Sequence, residues 1–259
     1  MSVVLQAKAV GKTFGGLAAV QGVSLEAHSG HILSIIGPNG AGKTTLFNCL
    51  SGIYRPDKGS VFLDGKDVTG FAPHKIAQAG LSRSFQNIRL FPEMSTLQNV
   101  LVGRFTRSPF RPLGALLRTA AWRADERAAE ERSLELLELV GLADRRHDWA
   151  RALPYGLQRR LEVARALATE PKVLLLDEPG AGMNPSEIAT MMALVVKIRQ
   201  LGVAVVVIEH HMKLVMEISD RILVLDHGEP IAEGTPREVR DDPRVIEAYL
   251  GRSEATVGH

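Results

Sequence analysis

Two short runs carry the residue types that phosphate chemistry needs. Gly37-Pro38-Asn39-Gly40-Ala41-Gly42-Lys43-Thr44 is a complete phosphate-binding loop. Its glycines let the backbone curl so that successive N–H groups point at one anion, with Asn39, Gly40, Ala41 and Gly42 in the cradle. A helix starting near Thr44 adds its positive end. Lys43 supplies a point charge for the β- and γ-phosphates, a charge-assisted contact of roughly 1.5–3 kcal/mol. Thr44 offers a hydroxyl to Mg²⁺ and Thr45 a further donor to phosphate. The second run is Val173-Leu174-Leu175-Leu176-Asp177-Glu178. An apolar strand here delivers two carboxylates at its C-terminal end, where open α/β sheets bind their ligands. Asp177 would reach Mg²⁺, directly or through water, and Glu178 would polarise the attacking water. Alone, an Asp-Glu pair after a strand is usually a solvated turn. Beside the loop, it points to nucleotide hydrolysis.

The flanking sequence supplies the elements these residues need. Residues 31–36 are an apolar, β-branched run that ends at Gly37, and residues 44–51 read as a helix. Strand, glycine loop and helix is the context a phosphate-binding loop requires. Residues 3–5 and 20–25 look like short strands around Gly15-Gly16, and residues 59–63 with Asp64-Gly65 predict a tight hairpin. Further strands are expected over 173–176, 203–208 and 222–225. Continuous apolar strands alternating with helices argue for a parallel sheet covered on both faces. Between residues 99 and 142 the character changes. Residues 118–139 are rich in Ala, Arg, Glu and Leu, after a Pro- and Arg-containing loop at 107–112, and Leu134, Leu137 and Val140 follow helical spacing. Another helix is expected over 158–168. The reading is one α/β domain over 1–259. Its core comes from 1–98 and 168–235, with an inserted helical subdomain at 99–167 and a C-terminal helical tail at 236–259. The last residues, 253–259, are expected to be disordered.

Over essentially its full length the chain resembles ABC-type nucleotide-binding subunits. The resemblance implies a P-loop NTPase core with a parallel sheet, an N-terminal antiparallel β subdomain and an inserted helical subdomain. It also implies further site residues. Gln86, in Ser84-Phe85-Gln86-Asn87, matches the glutamine loop that senses Mg²⁺ and the transport subunit. Phe14 stands where an aromatic ring stacks on adenine, and His210 matches the switch histidine that contacts the γ-phosphate. Residues 180–184 match the loop that crosses to a partner subunit. Each has a plainer alternative: Gln86 as a surface amide, Phe14 as a core ring, His210 or His211 as a satisfied loop histidine. The family signature Leu-Ser-Gly-Gly-Gln is altered here to Leu153-Pro154-Tyr155-Gly156-Leu157. The serine hydroxyl that would face the γ-phosphate is missing, and Pro154 lacks an N–H. Gly156 and the following helix start can still hold an anion through free N–H groups. The resemblance implies a head-to-tail dimer with two ATP molecules in its interface, so that binding closes the pair and hydrolysis releases it.

Several stretches narrow the likeness to branched-chain amino acid importer ATPases: the run from Leu153 to Glu162, then Glu178-Pro179-Gly180-Ala181-Gly182-Met183-Asn184-Pro185, Ile208-Glu209-His210-His211-Met212 and Ile231-Ala232-Glu233-Gly234-Thr235-Pro236. A lengthened loop at 104–122 fits the same subgroup. Urea, amide or aromatic-acid importers share these traits, and the core motifs of lipopolysaccharide exporter ATPases are similar. The implied partners are two integral membrane permeases, a related ATPase subunit forming a homo- or heterodimer, and, indirectly, a periplasmic solute-binding protein. The expected place is the cytoplasmic face of the inner membrane. Met1 to Val10 lacks the features of a secretory signal, and no run approaches the about 18 apolar residues of a bilayer span. The 31 basic and 29 acidic residues give a charge of +2, too even to favour nucleic acid. A soluble, non-transport ABC ATPase would carry tandem cassettes or long coiled coils, which this sequence lacks. The single cysteine, Cys49, excludes an internal disulfide and is read as an inert core residue.

Overall fold

The computed structural model describes residues 2–84, 86, 88–106 and 119–250, without the side chain of Leu250. Phe85, Asn87, the expected loop at 107–112 and the expected disordered end at 253–259 lie outside the described residues, as does most of the loop at 104–122. Two sheets carry the chain. The first is antiparallel, in the order β2 (Leu17–His28), β1 (Val3–Phe14), β4 (Lys58–Leu63) and β5 (Lys66–Asp67). β1 and β2 are far longer than the short strands expected at 3–5 and 20–25. Polar residues occupy much of their length, and register shifts interrupt the ladder, so no clean alternation marked them in the sequence.

The second sheet has six strands, in the order β10 (Glu229–Gly234), β9 (Arg221–Asp226), β3 (Ile32–Ile36), β8 (Ala204–Ile208), β7 (Val173–Asp177) and β6 (Leu81–Arg83). The pairs from β9 through β6 are parallel, and β10 closes the edge antiparallel to β9. β3, β7 and β8 are buried at every residue. Alternate side chains go to opposite cores. Val173 and Leu175 pack with Leu46, Phe47 and Leu50 on the side of the antiparallel sheet. Leu174 and Leu176 pack on the other side, among Leu161, Met191 and Ile198. Each such side chain fully buried contributes about 1.5–3 kcal/mol.

The helices expected near 44–51, 118–139 and 158–168 are present with shifted ends, and others join them that the sequence reading did not place. α1 (Lys43–Leu50) leaves the phosphate loop, and α2 (Pro73–Ala79) precedes β6. Between β6 and β7 come α3 (Thr96–Arg104), α4 (Ala120–Leu139) and α5 (Tyr155–Leu167). α5 starts earlier than the 158 expected, because Pro154 sits at its N-cap with φ −51° and the helix opens directly behind it. α6 (Pro185–Gln200) begins at a capping box between Asn184 and Glu187, with Pro185 in its first turn. α7 (Met212–Ile218) follows β8. At the C-terminal end, α8 (Pro236–Arg240) and α9 (Pro243–Leu250) cover a small core formed by Ile36, Val215, Val224, Val239 and Val245. Tyr249 of α9 is partly buried, which raises its phenol pKa, and the nearby Gly37 backbone opposes that rise. The C-terminal helix thus reaches the first glycine of the phosphate loop.

Cys49 lies on the buried face of α1, and burial pushes its thiol up to about 11. Thiolate is the reactive form, so at pH 8 the folded chain should resist thiol reagents. We expect labelling of Cys49 to be slow in buffer and complete within minutes in strong denaturant. Fast labelling of the native chain would contradict its place in this core.

Candidate functional site

The carboxyl ends of four adjacent parallel strands, β6, β7, β8 and β3, lead into the segments that carry Gln86, Asp177-Glu178, Glu209-His210 and the loop at 37–44. Ligands of open α/β sheets bind at such ends. The phosphate loop is threaded tightly. Gly37 has φ 148°, and a Cβ there would stand 2.0 Å from the Leu225 carbonyl oxygen. Gly42 caps α1 in the left-handed region at φ 94°, where a Cβ would stand 2.3 Å from the Ala19 carbonyl oxygen. The Lys43 ammonium donates to the carbonyls of Gly37 and Pro38 at 2.7 and 2.9 Å, which centres it over the loop. Thr44 and Thr45 lie in the first turn of α1, behind the cradle of Asn39, Gly40 and Ala41.

Asp177 ends β7 fully buried, and Glu178 follows it in the left-handed region at φ 47°. That backbone strain, of order 1–3 kcal/mol, turns the chain sharply at the strand end, as functional sites often do. The Glu178 N–H donates to Ile208 O at 2.9 Å, tying the turn to β8. Gln86 Nε2 donates to Glu178 Oε2 at 3.2 Å, so two residues distant in sequence meet side chain to side chain. His210 is exposed and stacks on His211 with ring centroids 4.4 Å apart. Phe14 ends β1, partly exposed, edge-on to Tyr54 at 5.2 Å and with Lys12 Nζ 5.5 Å from its ring. It is therefore not a core ring.

Gly156 sits in the first turn of α5, buried. The space where its Cβ would stand faces Glu187 of α6, with Oε1 only 2.6 Å away. Tyr155, beside it, covers Gly182 in the loop that follows Glu178. A Gly156→Asp variant would thus collide with the Asn184–Glu187 capping box, and any loss it shows would mix packing with phosphate binding.

Three charged groups essential to this arrangement were not singled out from the sequence. The first is Arg83, the last residue of β6. Its buried guanidinium donates to Asp177 Oδ2 at 2.7 Å, to Asn48 Oδ1 at 2.6 Å and to Ser51 Oγ at 3.1 Å, and it lies over the Phe47 ring. One cation thereby joins Asp177 to the helix of the phosphate loop. The second is the buried pair Arg159–Glu162 on α5. Arg159 donates to the Gln86 carbonyl and to Tyr155 Oη, while Glu162 Oε1 accepts from the Arg89 N–H at 3.3 Å. Through these two charges α5 holds the backbone at Gln86 and at Arg89. The third is Glu209, whose carboxylate is buried beside His210 and His211. Breaking a buried pair leaves an uncompensated charge. Arg83→Leu should therefore cost about 3–5 kcal/mol in urea unfolding. A loss under about 1 kcal/mol, the value of an exposed pair, would show that Asp177 does not depend on Arg83.

Comparison with known proteins places the chain in a family. The family model for ABC transporters matches residues 20–181. The high-affinity branched-chain amino acid transport ATP-binding protein BraF of Pseudomonas aeruginosa is 48% identical over 251 residues, spanning 96% of this chain and 98% of BraF. The chain belongs to the ABC transporter ATP-binding proteins, in the branched-chain amino acid group. A second family model, for branched-chain amino acid ATP-binding cassette transporters, matches residues 229–255, the region of β10, α8 and α9. LivG of Escherichia coli, also a high-affinity branched-chain amino acid transport ATP-binding protein, is 45% identical over 241 residues, 93% of this chain and 94% of LivG. The crystal structure of the ADP conformation of MJ1267, an ATP-binding cassette of an ABC transporter, shares the fold with a TM-score of 0.84 at 32% identity, covering 97% of this chain and 100% of that one. This ABC protein is an ATPase that couples ATP hydrolysis to transport. Among its described residues no helix is long and apolar enough to cross a membrane.

Proposed function

We propose that this ABC ATPase drives the uptake of branched-chain amino acids, working on Mg-ATP at the cytoplasmic face of the inner membrane. Two integral membrane permeases would sit above it, a homologous ATPase subunit would complete its dimer, and a periplasmic solute-binding protein would deliver the cargo. The meeting of Gln86 with Glu178 at the end of β7, separated by β8 from the strand β3 that leads into the phosphate loop, carries the catalytic part of this reading. The cargo class rests on what BraF and LivG are named for. The working division is a core from 1–98 and 168–235, a helical subdomain at 99–167 and a C-terminal tail from 236.

In the proposed reaction, Phe14 stacks on adenine and the backbone of Asn39, Gly40, Ala41 and Gly42 cradles the phosphates. Lys43 and Thr45 hold the β- and γ-phosphate oxygens. Glu178 takes a proton from water as its oxygen attacks the γ-phosphorus. The bond from that phosphorus to the β–γ bridging oxygen breaks, and ADP leaves with the electron pair. His210 steadies the γ-phosphate. Gly156, through the N–H groups of the helix start behind it, closes the partner subunit's site from the other side, and the partner's signature does the same here. Thr44, Gln86 and Asp177 offer hydroxyl, amide and carboxylate oxygens, the hard donors that Mg²⁺ takes; when bound, the ion offsets charge on the phosphates. Arg83 holds the Asp177 carboxylate in one orientation for that task.

The test is capture of partners. Glu178→Gln, with ATP, should hold the complex together during purification from detergent-solubilised membranes of the source cell. Recovery of two polytopic membrane proteins and a second ATPase is the expected result. Recovery of soluble partners alone, ribosomal or DNA-repair proteins among them, would overturn the transport reading and leave the ATPase.

A further inference from the structure

We propose that Glu209, His210 and His211 form a binding site for one borderline divalent transition-metal ion of the Zn²⁺ class. One donor atom from each of the three residues lies within 4.8 Å of the other two. Glu209 Oε1 is 2.6 Å from His211 Nδ1 and 3.7 Å from His210 Nδ1. Donor atoms around tetrahedral zinc, with bonds of about 2.0–2.2 Å, stand about 3.3 Å apart. To reach that spacing the Glu209–His211 pair must open by about 0.7 Å and the Glu209–His210 pair close by about 0.4 Å, movements within reach of small χ rotations of the two partly exposed rings. The carboxylate is already fixed, because the N–H groups of His210 and His211 donate to the same Oε1 at 3.2 and 3.4 Å.

A hydrogen bond between Glu209 and His211 accounts for part of this arrangement and leaves two features over. Glu209 Oε2 is buried with no hydrogen-bond partner among the described residues, beside Gly180 in the loop after Glu178. The His210 imidazole is turned onto the same carboxylate although its side chain is 56% exposed and free to point elsewhere. Two imidazole nitrogens and one buried carboxylate suit a dication, and both rings are open to solvent, which gives an entry path and room for water at the fourth position. Imidazole donors select zinc, copper or nickel, whereas Mg²⁺ demands oxygens, so the ion that accompanies ATP does not compete for these ligands.

The site has a consequence that rests on the proposed role of His210. A metal that takes the His210 ring nitrogen withholds that ring from the γ-phosphate, so zinc should slow ATP turnover. Isothermal titration of the untagged full chain with Zn²⁺, without nucleotide, tests the site itself. Cobalt absorption reports the ligand geometry. We expect one ion per chain, with a tetrahedral cobalt spectrum, and at least the about tenfold loss of affinity in His211→Gln that even an outer-shell change produces. His210→Gln should lose affinity likewise, and both variants should keep the far-UV circular dichroism of the parent, which separates lost ligands from lost fold. Absence of binding, or equal binding by both variants, overturns the site. Zinc binding that leaves turnover unchanged in buffered zinc would keep the site and overturn the consequence, along with the role given to His210.

Discussion

Glu178→Gln is expected to bind ATP as the parent chain does and to hydrolyse it about 10²–10⁴ times more slowly, the usual contribution of a positioned general base. The substitution changes one oxygen to an amide nitrogen and removes the charge proposed to accept a proton from water. Little else needs to move. Gln86 Nε2 can still donate to the remaining carbonyl oxygen, as it now does to Glu178 Oε2 at 3.2 Å. The left-handed turn at φ 47° depends on the N–H bond to Ile208 O, which the side chain does not make. Turnover should therefore collapse while nucleotide affinity holds, the pattern of an interaction made in the transition state. Single-turnover hydrolysis and equilibrium binding on the same preparation check both halves. A normal rate in the assembled complex would remove Glu178 from the role of base.

Lys43→Ala is expected to act on the other half, binding. The ammonium sits between the carbonyls of Gly37 and Pro38, at 2.7 and 2.9 Å, at the mouth of a loop whose remaining donors are backbone N–H groups. It is the one side-chain cation that the loop sequence itself places there. Losing a charge-assisted contact to phosphate costs roughly 1.5–3 kcal/mol. That is a fall in ATP affinity of about 10- to 140-fold, at 1.4 kcal/mol per factor of ten. Fluorescent-nucleotide binding reads it directly. An affinity within about twofold of the parent would show that the loop holds phosphate without its lysine.

These two residues were legible in the sequence because their chemistry needs a fixed local pattern. A glycine-rich loop between strand and helix can be read without knowing what lies across from it, and so can an apolar run ending in Asp-Glu. The parallel sheet was legible for the same reason, since β3, β7 and β8 are buried on both faces and leave unbroken apolar runs. Arg83 was not. It stands at the end of a three-residue strand, and its meaning comes from Asp177, ninety-four positions away, and from the polar face of α1. Arg159 and Glu162 look in the sequence like ordinary charges of a helix start; only the fold turns them inward onto Gln86 and Arg89. A charged i,i+3 pair among Leu161, Val163 and Ala164 was the available signal, and it was weak. The lengths of β1 and β2 were hidden by half-exposed positions and by shifts of register. The roles of Phe14 and Gly156 came only from the resemblance. Partners contributed by ATP or by a second chain leave no trace in one chain's periodicity.

The most direct test is ATP-driven uptake of leucine, isoleucine or valine into proteoliposomes carrying the purified complex, with this chain either unaltered or as Glu178→Gln. Uptake should require internal ATP with the unaltered chain and stop with the variant. Uptake that persists with Glu178→Gln, or ATP hydrolysis that the binding protein and its amino acid never accelerate, would contradict it.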